Sequence, residues 1–259
     1  MSSKIIFDFI KVPQKIDPLL CPAQWSSTMS IHQYRIPYEI SLKYIRNRDK
    51  VLDWGCGNGH FSYFLLHNGC ITTGYSYDCL PPLLKNATAF SFQPGSLDNF
   101  VDLPFPCEEF DLVFSVGVLE HVHEMGGSQN ASLKEVWRVL NNGGLFLCYH
   151  FPNRTSWIEF TVRLINKMFG TKYHTHTKLF SKNDIHFLFF SNNFKIIQYK
   201  RYNFIPRNRL KFLPMIIKNS HVSVMVIDLI DKMFSIILPW FCQNWYVVAQ
   251  KQDIAVTDT

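Results

Sequence analysis

Between Val51 and Leu66 the chain reads VLDWGCGNGHFSYFLL: an apolar run that ends on Asp53, glycines at 55, 57 and 59, then helix-like spacing. An unbroken apolar run predicts a strand covered on both faces. Glycines directly after it let the backbone turn sharply and approach a ligand with no Cβ in the way. A strand, a glycine turn and a helix in that order constrain the chain to an open α/β sheet, in which ligands lie outside the carboxyl ends of the strands. The spacing D-x-G-x-G-x-G brings the third glycine one residue earlier than the dinucleotide fingerprint G-x-G-x-x-G. An acid ahead of the turn also suits a cationic ligand group better than a phosphate, which argues against a nicotinamide-dependent oxidoreductase.

The alternation continues. Apolar spacing predicts a helix over about 31–47, a strand at KVLDW and a helix at GHFSYFLLHNG stopped by Gly69. A strand follows at CITTGYS, then a short proline-interrupted helix at DCLPPLLKNA and strands at AFSFQPG and FDLVFSV. The helix ASLKEVWRVL is expected to stop in a left-handed NNGG turn before the strand LFLCYHF. Further on, SWIEFTVRLINKMFG and SKNDIHFLFFSNN read as helices, and FKIIQYKRYNF and NWYVVAQKQ as strands. The fold class expected is α/β, a doubly wound, mostly parallel seven-stranded sheet. Residues 1–30 form an irregular segment broken by Pro13, Pro18 and Pro22, 31–250 the domain, 205–241 an apolar helical cap or lid, and 251–259 a frayed tail.

With 259 residues, 47% of them hydrophobic, the chain can bury a sizeable core. Its net charge of +6 is scattered, and no long Lys/Arg stripe predicts a nucleic-acid groove. Seven cysteines without a CxxC pair suit buried thiols in a reducing compartment. The run near the N-terminus is interrupted by Asp8 and is too short for a signal peptide, so a cytoplasmic location is expected.

Three blocks, VLDWGCGNGHFSYFL, LPFPCEEFDLVFSVGVLEHV and LKEVWRVLNNGGLFL, stand in the order seen in class I S-adenosylmethionine-dependent methyltransferases. The chain resembles that family over about 31–204, with Trp245 to Gln250 resembling its last, antiparallel strand. The resemblance implies S-adenosylmethionine as cofactor. It implies that Asp53, Gly55, Cys56 and Gly57 line the methionine end, with Asp53 receiving the ammonium, and that Val116 packs near the adenine or sulfonium. Tyr34 and Arg35 would cap the carboxylate. Two positions where the family carries acids hold Ser76 and Ser96 here, with Asp78 and Asp98 two residues further on. Ser76, Asp78, Ser96 and Leu97 are therefore the expected contacts to ribose and adenine. A neutral hydrogen bond is worth about 1 kcal/mol against roughly 1.5–3 for a charge-assisted one, so weaker cofactor binding or a catalytically silent module is the alternative.

Methyl transfer to oxygen requires alignment and a base. His121 in VLEHV, His150 at the end of the fifth strand and His176 in YHTHTKLFS are the candidates, with His174 beside them. The LEHV block also resembles quinone-pathway O-methyltransferases with a divalent metal, but Gly117 replaces a ligand there and no metal is expected. In HVSVMVIDLIDKMFSIILPW, Asp228, Asp231, Lys232 and Ser235 fall on one polar stripe of an otherwise apolar helix. That pattern suits a cap on the core, a lid over a hydrophobic small-molecule acceptor, or a peripheral membrane contact through 209–240; its charges argue against a span.

Overall fold

The computed structural model describes residues 27–96 and 98–253. Most of the segment expected to be irregular (1–30), most of the tail expected to fray (251–259) and Leu97 lie outside the described residues. Along the chain the elements are α1 (Thr28–Ile31), α2 (Arg35–Ser41), β1 (Lys50–Trp54), α3 (His60–His67), β2 (Ile71–Ser76), β3 (Phe90–Pro94), β4 (Phe110–Val116) and α4 (Gln129–Val139). They continue with β5 (Leu140–Pro152), α5 (Trp157–Phe169), α6 (Lys182–Phe190), β6 (Phe194–Tyr202), α7 (Met215–Lys218), α8 (His221–Ile237) and β7 (Asn244–Lys251). The chain divides into two compact units.

The sheet unit comprises 45–151, 182–200 and 246–259. Its seven strands run in the order β3-β2-β1-β4-β5-β7-β6 in a mixed, mostly parallel sheet, as expected. β1 pairs in parallel with β2 on one side and β4 on the other, so the connection reverses direction at the carboxyl end of β1. This switch point is where an α/β sheet opens a crevice. The core occupies both faces of the sheet, because successive side chains of a strand alternate between them. On one face Phe61 of α3 packs on Phe114 (ring centroids 5.3 Å apart) and Tyr149 (6.4 Å). On the other, Phe146, one of β5's buried rings, meets Phe189 of α6 and Phe194 of β6 at about 6 Å.

α3 ends as its sequence requires. Gly69 adopts φ +85°, and its N–H and that of Cys70 return to the carbonyls of Leu66 and Leu65. Three local expectations are corrected. The first helix is broken into α1, a tight turn at His32–Tyr34 and α2, and it stops at Ser41. The segment with Pro81 and Pro82 makes only a single 3₁₀ turn, Pro82–Leu84, because consecutive prolines remove donors and hold the preceding residue extended. α4 ends not in a left-handed NNGG turn but in extended Leu140, which leads directly into β5. The left-handed residue is Gly143, inside an irregularity where the pairing jumps from Phe110↔Leu140 to Leu112↔Leu145.

The helical unit comprises the described residues up to Tyr44, together with 152–181 and 201–245. Asn153, fully buried, donates to the carbonyls of Trp240 and Cys242 (both 2.8 Å) and accepts from Arg201, whose guanidinium lies 3.9 Å over the Trp245 ring. α5 is tied to the segment before α7 by Trp157, whose indole donates to the Phe204 carbonyl at 2.9 Å. Phe204 stacks in turn on Phe234 of α8 at 5.0 Å.

α8 is oriented opposite to an ordinary surface helix. Asp231 is 3% exposed and accepts from the Ile205 N–H (2.7 Å), and Arg207 lies between Asp228 and Asp231. His32 meets Asp228 at 3.0 Å, and Val224 packs on Met29. Asp228, Asp231 and Ser235 of the predicted polar stripe thus face inward, whereas Lys232 faces out. The apolar positions Val222, Met225, Leu229, Met233 and Ile236 are exposed.

Removal of the Phe114 ring, which is fully buried, should cost about 3–5 kcal/mol in Phe114→Ala. Phe187→Ala, at a ring 72% exposed on α6, should stay within about 0.5 kcal/mol. Denaturant titration of both variants checks the sidedness of this core; equal losses would contradict it.

Candidate cofactor site

The turn after β1 is held to β2 by its backbone: the Gly55 and Cys56 N–H groups both donate to the Tyr75 carbonyl, at 2.7 and 3.1 Å. Gly55 is at φ +82°, and a Cβ there would lie 2.1 Å from Val118 Cγ2. Only glycine therefore allows the loop after β4 to close against this turn. The two loops bound a cavity of about 230 Å³ in the sheet unit. Trp54, Gly55 and Gly57 form one wall, Tyr75, Ser76, Tyr77 and Asp78 a second, and Gly117, Val118, His121, Val122 and Met125 a third, with Phe100 alongside Tyr77 (5.6 Å between rings).

Of the expected contacts, the cavity wall contains Gly55, Gly57, Ser76, Asp78 and His121. Asp78 and Ser76 form a local turn in which the Asp78 N–H donates to Ser76 Oγ at 3.1 Å. The displaced acid and the serine thus present themselves together. Ser96 makes the same turn with the Asp98 N–H (3.3 Å) but does not line this cavity. Cys56 is buried behind the turn, and burial pushes its thiol well up. Val116 also stays off the wall, and its place is taken by Val118 two residues on.

Asp53 lies beneath the glycine turn rather than in the wall. It is 1% exposed, and its Oδ2 accepts from Ser62 Oγ of α3 at 2.6 Å. Burial raises its carboxyl to about 6, against the lowering effect of the Ser62 hydrogen bonds. Glu120 is also buried, and burial raises it to about 8, which favours its protonated, neutral form. Gly117, at φ +82°, leaves Glu120 Oε1 3.8 Å from where a Cβ would stand.

The three histidines expected as bases are placed differently. His121 is on the cavity wall, with Nδ1 3.1 Å from Glu124. His150 is at the end of β5 with φ +63°, an uncommon backbone for a non-glycine residue, and does not line the cavity. Burial, with a smaller electrostatic contribution from His150, depresses the neighbouring His60 to about 3. His176 belongs to the helical unit, where its Nδ1 meets Glu159 at 2.6 Å beside a separate cavity of about 150 Å³ that also contains His174. Tyr34 and Arg35 also belong to the helical unit, with Arg35 paired to Glu39 (3.0 Å) and 3.7 Å from Asp228. The aromatic wall of Tyr77 and Phe100 and the Val118 contact escaped sequence reasoning. Only the apolar character of VGVLEHV hinted at the latter.

Residues 52–148 match the family described as a methyltransferase domain. Over 130 residues the chain is 32% identical to a tRNA U34 carboxymethyltransferase of Ruthia magnifica, covering 46% of this chain and 38% of that protein. Over 135 residues it is 26% identical to a sterol 24-C-methyltransferase of Pneumocystis carinii, covering 49% and 33%. The fold matches that of a SAM-dependent methyltransferase from Archaeoglobus fulgidus with a TM-score of 0.56 and 18% identity, over 85% of this chain and 94% of the other. The sheet is thus of the class I methyltransferase type. Residues 52–148 thus match a methyltransferase domain, on a fold shared with SAM-dependent methyltransferases. The chain spans about a third to a half of the length of the curated relatives it matches.

A carboxyl raised to about 8 by burial binds more protons folded than unfolded between roughly pH 4.5 and 8, so Glu120 lowers stability as pH rises through that window. Glu120→Gln should therefore gain stability relative to the parent across this range. Denaturant midpoints at several pH values check it, and a constant difference would contradict the buried neutral acid.

Proposed function

We propose that the chain transfers a methyl group from S-adenosylmethionine to a small, lipophilic acceptor, at oxygen, by in-line displacement. The observation that carries this reading is the cavity at the switch point, where Gly55 and Gly57 expose backbone and Ser76, Asp78 and Tyr77 offer polar and aromatic contacts. These residues fit the cofactor: the glycine turn would receive its methionine end over Asp53, Ser76 and Asp78 its ribose, and Tyr77 and Phe100 its adenine. When bound, it supplies an electrophilic methyl on a sulfonium.

His121 is the proposed base, since it is the one of the three candidate histidines on this wall and Glu124 holds its Nδ1. It takes the acceptor's hydroxyl proton as the new bond to oxygen forms. The apolar side chains of Trp54, Val118, Val122 and Met125 support a lipophilic acceptor; of the relatives, the sterol methyltransferase accords with it and the tRNA carboxymethyltransferase does not. Such an acceptor partitions into lipid, so the location we propose is a membrane face on the cytoplasmic side. The silent module stays as the competing outcome because Ser76 and Ser96 replace the family's acids.

Calorimetry decides between them. S-adenosylmethionine and S-adenosylhomocysteine should both bind, and NAD should not; absence of binding by the first pair would leave the silent module. An ammonium over Asp53 favours its ionised form, so affinity should fall severalfold as pH drops from about 7 to 5 through a carboxyl at about 6, and Asp53→Asn should flatten that dependence. His121→Ala should leave cofactor affinity unchanged and lower turnover by about 10²–10⁴-fold. Full turnover would remove it as the base.

A further inference from the structure

We infer that the exposed sides of α5, α7 and α8 dock on an anionic lipid surface. The inference rests on the membrane-peripheral placement proposed above, not on methyl transfer. It starts from how charge is divided along the chain. The described part of the helical unit holds thirteen lysines and arginines against four acids, whereas the described part of the sheet unit holds ten against thirteen. An asymmetry of this size marks a surface for a polyanion or an anionic membrane.

All four acids among the described residues of the helical unit are drawn into ion pairs. Glu39 pairs with Arg35, Glu159 with His176 and Arg163, and Asp228 and Asp231 with Arg207. Glu159 is the only acid of α5, and Asp228 and Asp231 are the only acids of α8; each helix turns them inward. What remains outside is cationic or apolar. On α5, Lys167 is exposed together with Phe160, Leu164, Met168 and Phe169; on α8, Lys232 is exposed together with Val222, Met225, Leu229 and Ile236. α7 adds Met215 and Ile216, the latter 82% exposed, and Phe212 and Trp240 flank the helices. Trp157 of α5 and Phe234 of α8 both pack on Phe204.

A nucleic-acid groove offers cations with stacking platforms but has no use for a dozen exposed aliphatic and aromatic side chains. An apolar face with basic residues and no free acid is the composition of a helix lying in a lipid interface. Among the described residues no helix is long and apolar enough to cross a membrane, which fits a helix lying in the interface. α8 achieves this inverted arrangement because buried Arg207 and His32 hold its polar stripe, leaving the wide apolar side outward.

The test is flotation of the full chain, without nucleotide, on phosphatidylcholine vesicles and on vesicles that also contain phosphatidylglycerol. Binding is expected with the anionic vesicles and should weaken with salt. The pair Lys167→Gln and Lys232→Gln should lower partitioning roughly fivefold per site. The apolar pair Ile216→Ser and Leu229→Ser should lower it about tenfold or more. Calorimetry with S-adenosylhomocysteine on each variant separates loss of docking from loss of fold: a variant that keeps nucleotide affinity but no longer floats supports the inference. The inference is overturned if the parent chain binds nucleotide yet ignores anionic vesicles. It is equally overturned if bulk tRNA, and not lipid, binds in a Lys167- and Lys232-dependent way, or if ultracentrifugation shows a dimer that Leu229→Ser dissociates. Failure of nucleotide binding with intact flotation would strike the enzymatic reading alone.

Discussion

The candidate site depends on one close approach. Gly55 sits in a left-handed conformation with its N–H on the Tyr75 carbonyl, and the side chain of Val118 fills the space any Cβ would need. That contact brings the loops after β1, β2 and β4 together around one cavity. It couples the order of strands, which places β1 between β2 and β4, to the chemistry at their carboxyl ends. Beneath it, Asp53 and Ser62 tie the end of β1 to the first turn of α3. The acid thus has a structural partner as well as the position to feel a cation seated above it.

Much of this was legible because it rests on local rules. The alternation of apolar strands and amphipathic helices, the D-x-G-x-G-x-G junction and the Gly69 stop each depend on residues close in sequence, and each is found. The errors arose where tertiary pairing overrode a local signal. NNGG carries the signature of a helix stop, yet pairing with β4 draws Leu140 straight into extended backbone and leaves Gly143 to absorb the irregularity. The double proline at 81–82 spoils a helix that composition alone suggested. Within the site, Ser76 and Asp78 could be named in advance because the resembled family carries its ribose-binding acid at the end of this strand, where Ser76 closes β2 and Asp78 follows. Val118, Tyr77 and Phe100 could not, since their contribution is set by loops that meet only in three dimensions.

α8 shows the limit of patterning from the opposite side. The stripe of Asp228, Asp231 and Ser235 was visible in the sequence, but which way it faces depends on partners nearly two hundred residues away in His32 and close by in Arg207. A buried ionic network holds the polar side in, and the apolar side is left to the environment. The same partition holds on α5 through Glu159 and His176. Two helices that bury their acids and expose their cations and large apolar groups give the helical unit a surface quite unlike the acidic sheet unit.

The most direct measurement is a crystal structure of the chain with S-adenosylhomocysteine. The account predicts density for the nucleotide along the glycine turn, its amino-acid end over Gly55 and Gly57, its ribose at Ser76 and Asp78 and its base between the loops that carry Tyr77 and Val118. Density elsewhere on the molecule, or a closed turn with Val118 occupying the cavity at saturating ligand, would contradict it.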